Sequence, residues 1–250
     1  MSSMLKKSVL GSAVALALLA GGQAVASELT ANAGIVSNYV YRGETQNGDL
    51  SAIQGGIDYS HDSGFYVGTW SSSLNAASGY EMDIYAGYGF EVSGIGMDVG
   101  YISYMYPMGE TNGDPSTENK YDFQEIYVGA SYGMFSAKYS YSDNYLGHSE
   151  YAADGAKKAA YYLELGMDYP LSDEMTLGLH VGQKAGAFFD VDASQCTTTI
   201  CDGAVTDYSV SLSKGEFSFK VSNMDNKKSS VAAQSDNFRV IVGYTHDIAL

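Results

Sequence analysis

The sequence predicts an all-β protein, a transmembrane antiparallel up-and-down β-barrel of about twelve strands. Three observations predict it. Apolar and polar residues alternate with period two through segment after segment. The connections between those segments alternate in length, short then long. The chain is rich in Gly (29) and Tyr (22) and poor in Pro (3), a balance that suits strands and turns and argues against disorder.

The chain opens with Lys6 and Lys7, an apolar stretch from Val9 to Ala20, then Gly21-Gly22-Gln23 and the small triplet Ala24-Val25-Ala26. This reads as a secretory signal peptide over residues 1–26, cleaved after Ala26. A permanent membrane helix would need about twenty strongly apolar residues, and the glycines and glutamine interrupt the stretch before that length. Residues 27–250 then form one barrel domain. The whole chain carries 13 basic and 29 acidic residues, a net charge of −16. Losing Lys6 and Lys7 makes it −18. Nucleic acid is excluded as a partner, because phosphate binding requires clustered Lys and Arg and none is present.

The clearest alternation runs from Tyr80 to Val92. Tyr80, Met82, Ile84, Ala86, Tyr88, Phe90 and Val92 share one face, with Glu81, Asp83, Tyr85, Gly87, Gly89 and Glu91 on the other. Working outward, strands are expected at 31–42, 51–60, 65–73, 80–92, 95–106, 121–132, 135–144, 159–169, 175–185, 204–213, 217–223 and 237–250. Short turns join alternate pairs at His61-Asp62-Ser63-Gly64, Ser93-Gly94, Gly133-Met134, Pro170 to Glu174 and Lys214-Gly215-Glu216. The remaining connections are longer and mostly polar: Gly43 to Leu50, Leu74 to Gly79, Pro107 to Lys120, Tyr145 to Lys158, Gly186 to Gly203 and Met224 to Asp236. Periplasmic turns and external loops differ in this way in bacterial outer-membrane barrels, and an even strand count puts both termini in the periplasm.

A soluble sandwich also alternates, so length and interface decide between water and membrane. Many of the expected strands are about ten residues long, as a tilted bilayer span requires. Aromatics crowd the strand ends beside the short turns, at Tyr59, Phe65, Phe90, Tyr132, Phe135, Tyr169 and Phe217, where an interfacial girdle would sit. The last strand ends the protein, with Phe238, Val240, Val242, Tyr244, His246, Ile248 and Leu250 on one face. It resembles the C-terminal signal read by the barrel-assembly machinery, which is therefore an expected partner during biogenesis, together with outer-membrane lipid and lipopolysaccharide.

Cys196 and Cys201 lie close enough in the chain to close a small disulfide ring once exported. A metal site would want further ligands, and no His is near them in the chain.

Several stretches together resemble the TorF family of porins. They are Val36-Ser37-Asn38-Tyr39-Val40-Tyr41-Arg42-Gly43, Ala52-Ile53-Gln54-Gly55-Gly56-Ile57-Asp58-Tyr59, Gly64-Phe65-Tyr66-Val67-Gly68-Thr69-Trp70, Glu125-Ile126-Tyr127-Val128-Gly129 and Tyr162-Leu163-Glu164-Leu165-Gly166. The resemblance implies an outer-membrane porin barrel and supplies no catalytic residues.

If the apolar face of each strand meets lipid, the opposite face lines the lumen. Arg42, Asp58, Glu81, Asp83, Glu91, Asp98, Lys138, Glu164, Asp168, Lys184, Asp207, Lys220, Arg239 and Asp247 are the candidates. Strand 121–132 is ambiguous, because Glu125 shares a face with Tyr121, Phe123 and Tyr127. The expected function is passive diffusion of small polar solutes or ions, with weak cation preference from the acidic excess. The bland alternative is a lumen filled by interlocking side chains, since about twelve strands fall between filled and open barrels. Arg42 would either fix ion preference or pair with an acid such as Asp58. Gln54-Gly55-Gly56 reads as close packing or a bulge.

Other classes are weaker. A non-conducting surface barrel would use acidic loops (Glu110, Asp114 and Glu118, or Asp190, Asp192 and Asp202) to bind divalent cations near lipopolysaccharide, although solvated loops have the same composition. A phospholipase would need an activated serine, and Gly147-His148-Ser149 lacks the expected spacing. His61, His148, His180 and His246 show no metal-ligand spacing, and no cofactor is expected.

Overall fold

A computed structural model describes residues 27–75, 79–107, 121–147, 158–189, 203–225 and 237–250. The expected signal peptide, Cys196 and Cys201, His148 and Ser149, and the acidic loop residues 110, 114, 118, 190, 192 and 202 lie outside them.

Among the described residues fourteen strands run in chain order: β1 (Glu28–Val36), β2 (Val40–Tyr41), β3 (Glu44–Thr45), β4 (Ala52–Ser60), β5 (Phe65–Ser73), β6 (Tyr80–Val92), β7 (Ile95–Met105), β8 (Phe123–Tyr132), β9 (Phe135–Ser142), β10 (Ala160–Ser172), β11 (Met175–Ala185), β12 (Val205–Lys214), β13 (Phe217–Asp225) and β14 (Arg239–Ala249). Twelve of them close an antiparallel barrel in sequence order, and β2–β3 pair separately. β1 closes the ring against β14 from Thr30↔Ala249 to Val36↔Gly243, which leaves no unpaired edge.

The outer wall carries the apolar half of the alternation. Ile53, Ile57, Ile84, Ile126, Leu163, Leu165, Val210, Val240 and Val242 are all exposed, a surface that only lipid can cover without cost. The seven girdle aromatics expected beside the short turns are exposed as well. Core packing lies inside the ring, around Tyr66, Trp70, Tyr85, Tyr104, Phe123, Tyr127 and Met224.

The abundance of Tyr and Gly has a structural reason. Tyr66, Tyr85, Tyr127 and Tyr162 lie flat against the inner wall over Gly87, Gly68, Gly100 and Gly182, where any Cβ would collide with the ring. Gly55 likewise sits where a Cβ would come 2.7 Å from the Asn32 carbonyl oxygen, so Gln54-Gly55-Gly56 is a close-packing feature in an unbroken register.

Two sequence expectations are corrected. β10 runs on through Pro170 to Ser172, with an irregularity between them, so the turn shrinks to Asp173-Glu174. Proline fits there because the pairing of β10 with β9 ends at Met167↔Phe135, beyond which no neighbour on that side needs its N–H. The first strand spans Glu28–Val36, not 31–42. Residues 37–51 leave the wall at Ser37, whose N–H donates to the Val242 carbonyl at 2.8 Å, and fold into the lumen.

Candidate functional site

The inward segment is a small hairpin. β2 and β3 pair Tyr41 with Glu44, leaving Arg42 (φ 48) and Gly43 (φ 82) as the two-residue tip. Positive φ at both positions defines a type I′ turn, the tightest reversal compatible with strand twist. Gly43 is required, since a Cβ there would lie 2.7 Å from the Asp207 Cβ and 2.8 Å from the Met224 Cβ. Behind the tip the segment pins itself. Asn38 Nδ2 donates to Asp49 at 2.6 Å, Thr45 Oγ1 donates to the Asn38 side chain at 2.7 Å, and Asn47 is wholly buried.

From β1 the tip crosses the lumen to the opposite wall. Arg42 Nη1 and Nη2 donate to the two carboxylate oxygens of Glu125 on β8, each at 2.7 Å. The guanidinium lies 4.7 Å from the Tyr41 ring centroid and 4.3 Å from that of Tyr162. This combines a bidentate ion pair with cation–π contacts, a role that Lys cannot fill. Burial works against the Arg42 charge, but Glu125 together with Tyr41 and Tyr104 outweighs it and holds the guanidinium pKa above its ordinary value. Arg42 therefore pairs with an acid inside the barrel, and that acid is Glu125, not Asp58. The Asp58 carboxylate instead accepts a hydrogen bond from Tyr85.

Other walls grip the same hairpin. Lys184 of β11 ion-pairs with Glu44 and donates to the Arg42 carbonyl at 3.3 Å. Arg239 of β14 pairs with Asp49 at 2.7 Å and reaches the Gly43 carbonyl at 3.4 Å. Tyr41 and Tyr104 of β7 share a hydroxyl contact at 2.8 Å. Around the hairpin Tyr39 packs edge-on against Trp70, and Tyr145, Phe188 and Phe189 fold in from neighbouring connections. Burial raises the Tyr145 hydroxyl pKa, against the pull of the neighbouring Arg42.

A polar belt crosses the lumen beside the hairpin. Lys138 pairs with Glu164 at 2.8 Å, and His180 stands between Glu164 (3.8 Å) and Asp207 (3.0 Å). Tyr162 donates to Asp207 at 2.9 Å, and Tyr66 donates to Asp98 at 2.8 Å. Lys138 offsets the Glu164 charge, and His180 and Tyr162 both hydrogen-bond the Asp207 carboxylate across strands.

The candidates from the sequence thus divide. Arg42, Lys184 and Arg239 hold the hairpin, while Asp58, Asp98, Lys138, Glu164 and Asp207 belong to the interior networks. Glu81 and Asp83 are buried on the inner face of β6. Lys220 is half-buried on β13, opposite Ser211 of β12 and Ile241 of β14. Glu91, Asp168 and Asp247 are exposed near the short-turn ends of their strands. Strand 121–132 loses its ambiguity, since Phe123, Glu125 and Tyr127 are all buried inside. The role of Glu125 and the inward hairpin escaped sequence reading, although Tyr39-Val40-Tyr41-Arg42-Gly43-Glu44-Thr45 carries a hairpin signal in its central Arg-Gly. His61 and His246 make turn contacts, with Ser63 at 2.9 Å and with Glu216. Gly147 lies in a turn, and the rest of Gly147-His148-Ser149 is outside the described residues.

Among solved structures the chain is similar to one described as "KdgM porin", at 13% identity, with 87% of this chain and 98% of that one covered and a TM-score of 0.50. It is also similar to one described as "Unveiling the Mechanism Behind the in-meso Crystallization of Membrane Proteins", at 10% identity, with 89% and 83% covered and a TM-score of 0.52. These likenesses are of fold. No curated protein matches the sequence. A family model described as "Bacterial protein of unknown function (Gcw_chp)" matches residues 20–239, a description that does not carry the TorF label. With that match spanning most of its length, the chain belongs to the Gcw_chp family.

Proposed function

We propose that the protein is an outer-membrane channel for passive diffusion of small polar solutes or ions, exported by its N-terminal signal peptide and weakly selective for cations. The observation that carries the reading is the inward hairpin. A closed barrel with an apolar outside and a charged inside is narrowed by a loop latched across the lumen by Arg42–Glu125. Preference for cations follows from the excess of inward acids, since Asp58, Glu81, Asp83, Asp98, Glu125, Glu164 and Asp207 outnumber Lys138, Lys184, Lys220, Arg42 and Arg239. The likeness to porins supports a channel over an enzyme.

A second reading has its own observation. The hairpin and the aromatic side chains around it pack into the lumen densely enough to favour a non-conducting envelope barrel. Planar-bilayer recording of the purified protein separates the two. Stepwise currents with a reversal potential displaced toward the cation equilibrium in a KCl gradient support the channel. Absence of steps in both the wild type and an unlatched variant overturns it in favour of the sealed barrel, and displacement toward chloride overturns the cation preference.

A further inference from the structure

We propose that Glu81 and Asp83 form a binding site for one divalent cation of the calcium type, placed where the inward loop meets β6. The two residues stand two positions apart on the inner face of one strand, near enough that the Glu81 charge acts on Asp83. Each is 2% exposed. Glu81 Oε2 and Asp83 Oδ1 are buried and make no hydrogen bond. Among the described residues, neither acid forms an ion pair with any Lys, Arg or His.

Charge balance around them is incomplete. The other acid whose charge acts on Asp83 is Glu125. Its counter-charge, Arg42, is already committed to it by two hydrogen bonds. Counted as ionised, the three carboxylates share one guanidinium, a formal excess of −2 in a desolvated place, and a buried charge without a partner is strongly unfavourable, so the pair must take up either protons or a cation. A cation of charge +2 restores neutrality. The donors present are oxygens alone, which selects a hard ion over a transition metal.

The remaining ligands are phenolic. Tyr106 donates to Glu81 Oε1 at 3.3 Å, and Tyr39 also hydrogen-bonds Glu81. Among the described residues no third Asp, Glu, His or Cys completes a cage. Calcium tolerates such an irregular set, filling its 6–8 positions with bidentate carboxylates, carbonyls and water, whereas magnesium demands a near-ideal octahedron. With two carboxylates the affinity falls in the range of extracellular modules, on the order of 10⁻⁴–10⁻³ M. Occupancy would tie the loop to the wall, because Tyr39 joins Glu81 to Trp70.

The test is calcium titration of the folded barrel in detergent at neutral pH, by calorimetry and by displacement of Tb³⁺ whose luminescence is sensitised by the adjoining tyrosines. The wild type is expected to bind one calcium per barrel. Asp83→Asn and Glu81→Gln each weaken binding about tenfold or more, as expected when a charged ligand is lost. Glu91→Gln and Asp168→Asn, which alter exposed acids, leave it unchanged. Should Glu81→Gln fail to fold by circular dichroism, Asp83→Asn alone decides. No calcium binding by the wild type at 10 mM, or binding that survives both substitutions and so resides in the outer loops, overturns the proposal. Conductance plays no part in this readout, so failure here is distinguishable from failure of the channel reading.

Discussion

Arg42→Ala removes the latch with little disturbance to the turn that carries it. The residue sits at φ 48, and alanine bears the same left-handed cost as arginine, so the loss is confined to the side chain. What is lost is a bidentate pair with side chains 7% and 3% exposed, too buried for solvent or salt to screen. Breaking such a pair from one side costs about 3–5 kcal/mol, much of it the orphaned Glu125 carboxylate, to which Tyr104 offers only a 3.4 Å contact. Every 1.4 kcal/mol is about tenfold, so the docked hairpin loses roughly two or more powers of ten in population relative to an undocked state. Lys184–Glu44 and Arg239–Asp49 remain as anchors, so the expected phenotype is a barrel that stays folded and opens more often or more widely. Single-channel recording in planar bilayers reads this directly. Glu125→Gln should act in the same direction, and the double variant should cost less than the two singles summed, because it leaves no buried orphan. Conductance and open probability indistinguishable from wild type in both single variants would refute the assignment of Arg42–Glu125 as the latch.

Three further outcomes are expected. Gly43→Ala forces a Cβ between Asp207 and Met224 at a left-handed position costing about 1–2 kcal/mol before any clash, and should undock the hairpin in the same recordings. Leu165→Arg, on the lipid face midway along β10, should destabilise the folded state by about 2–4 kcal/mol in urea unfolding from vesicles, and no effect there would contradict a membrane-spanning wall. In the turn before β13, hydrogen bonds from His246 and Tyr244 hold the Glu216 carboxyl below its ordinary pKa. Its stabilising contribution is therefore present above the ordinary glutamate value of about 4.3 and lost as pH falls through the depressed value. Thermal melts of Glu216→Gln against wild type should converge at the acid end and separate above it.

Alternation and turn chemistry made most of the wall legible in advance. Strands 65–73, 80–92 and 175–185 match their predicted bounds, because period two fixes which face meets lipid and turn residues such as Gly64, Gly94 and Asp173-Glu174 mark where the hairpins reverse. Alternation likewise separates the buried Glu81, Asp83 and Arg239 from their apolar neighbours, but it does not tell them from Glu91, Asp168 and Asp247, which are exposed toward the strand ends. The errors cluster where side chains inside the barrel answer to partners far away in sequence. Phe123, Glu125 and Tyr127 looked contradictory on one face until the lumen proved to be packed as well as charged. Residues 37–42 looked like more strand because they too alternate, but their alternation serves a second, smaller hairpin.

By itself, then, the sequence determined a closed wall of about twelve strands with an apolar outside and a charged inside, since both follow from local periodicity and the demand that backbone groups in lipid be paired. The tertiary structure alone decided what fills the ring. Arg42 meets Glu125 across 83 residues of sequence, and Lys184 and Arg239 reach the same hairpin across 142 and 196. No local pattern encodes such pairings, because they exist only once closure of β1 on β14 brings opposite walls within reach of one loop.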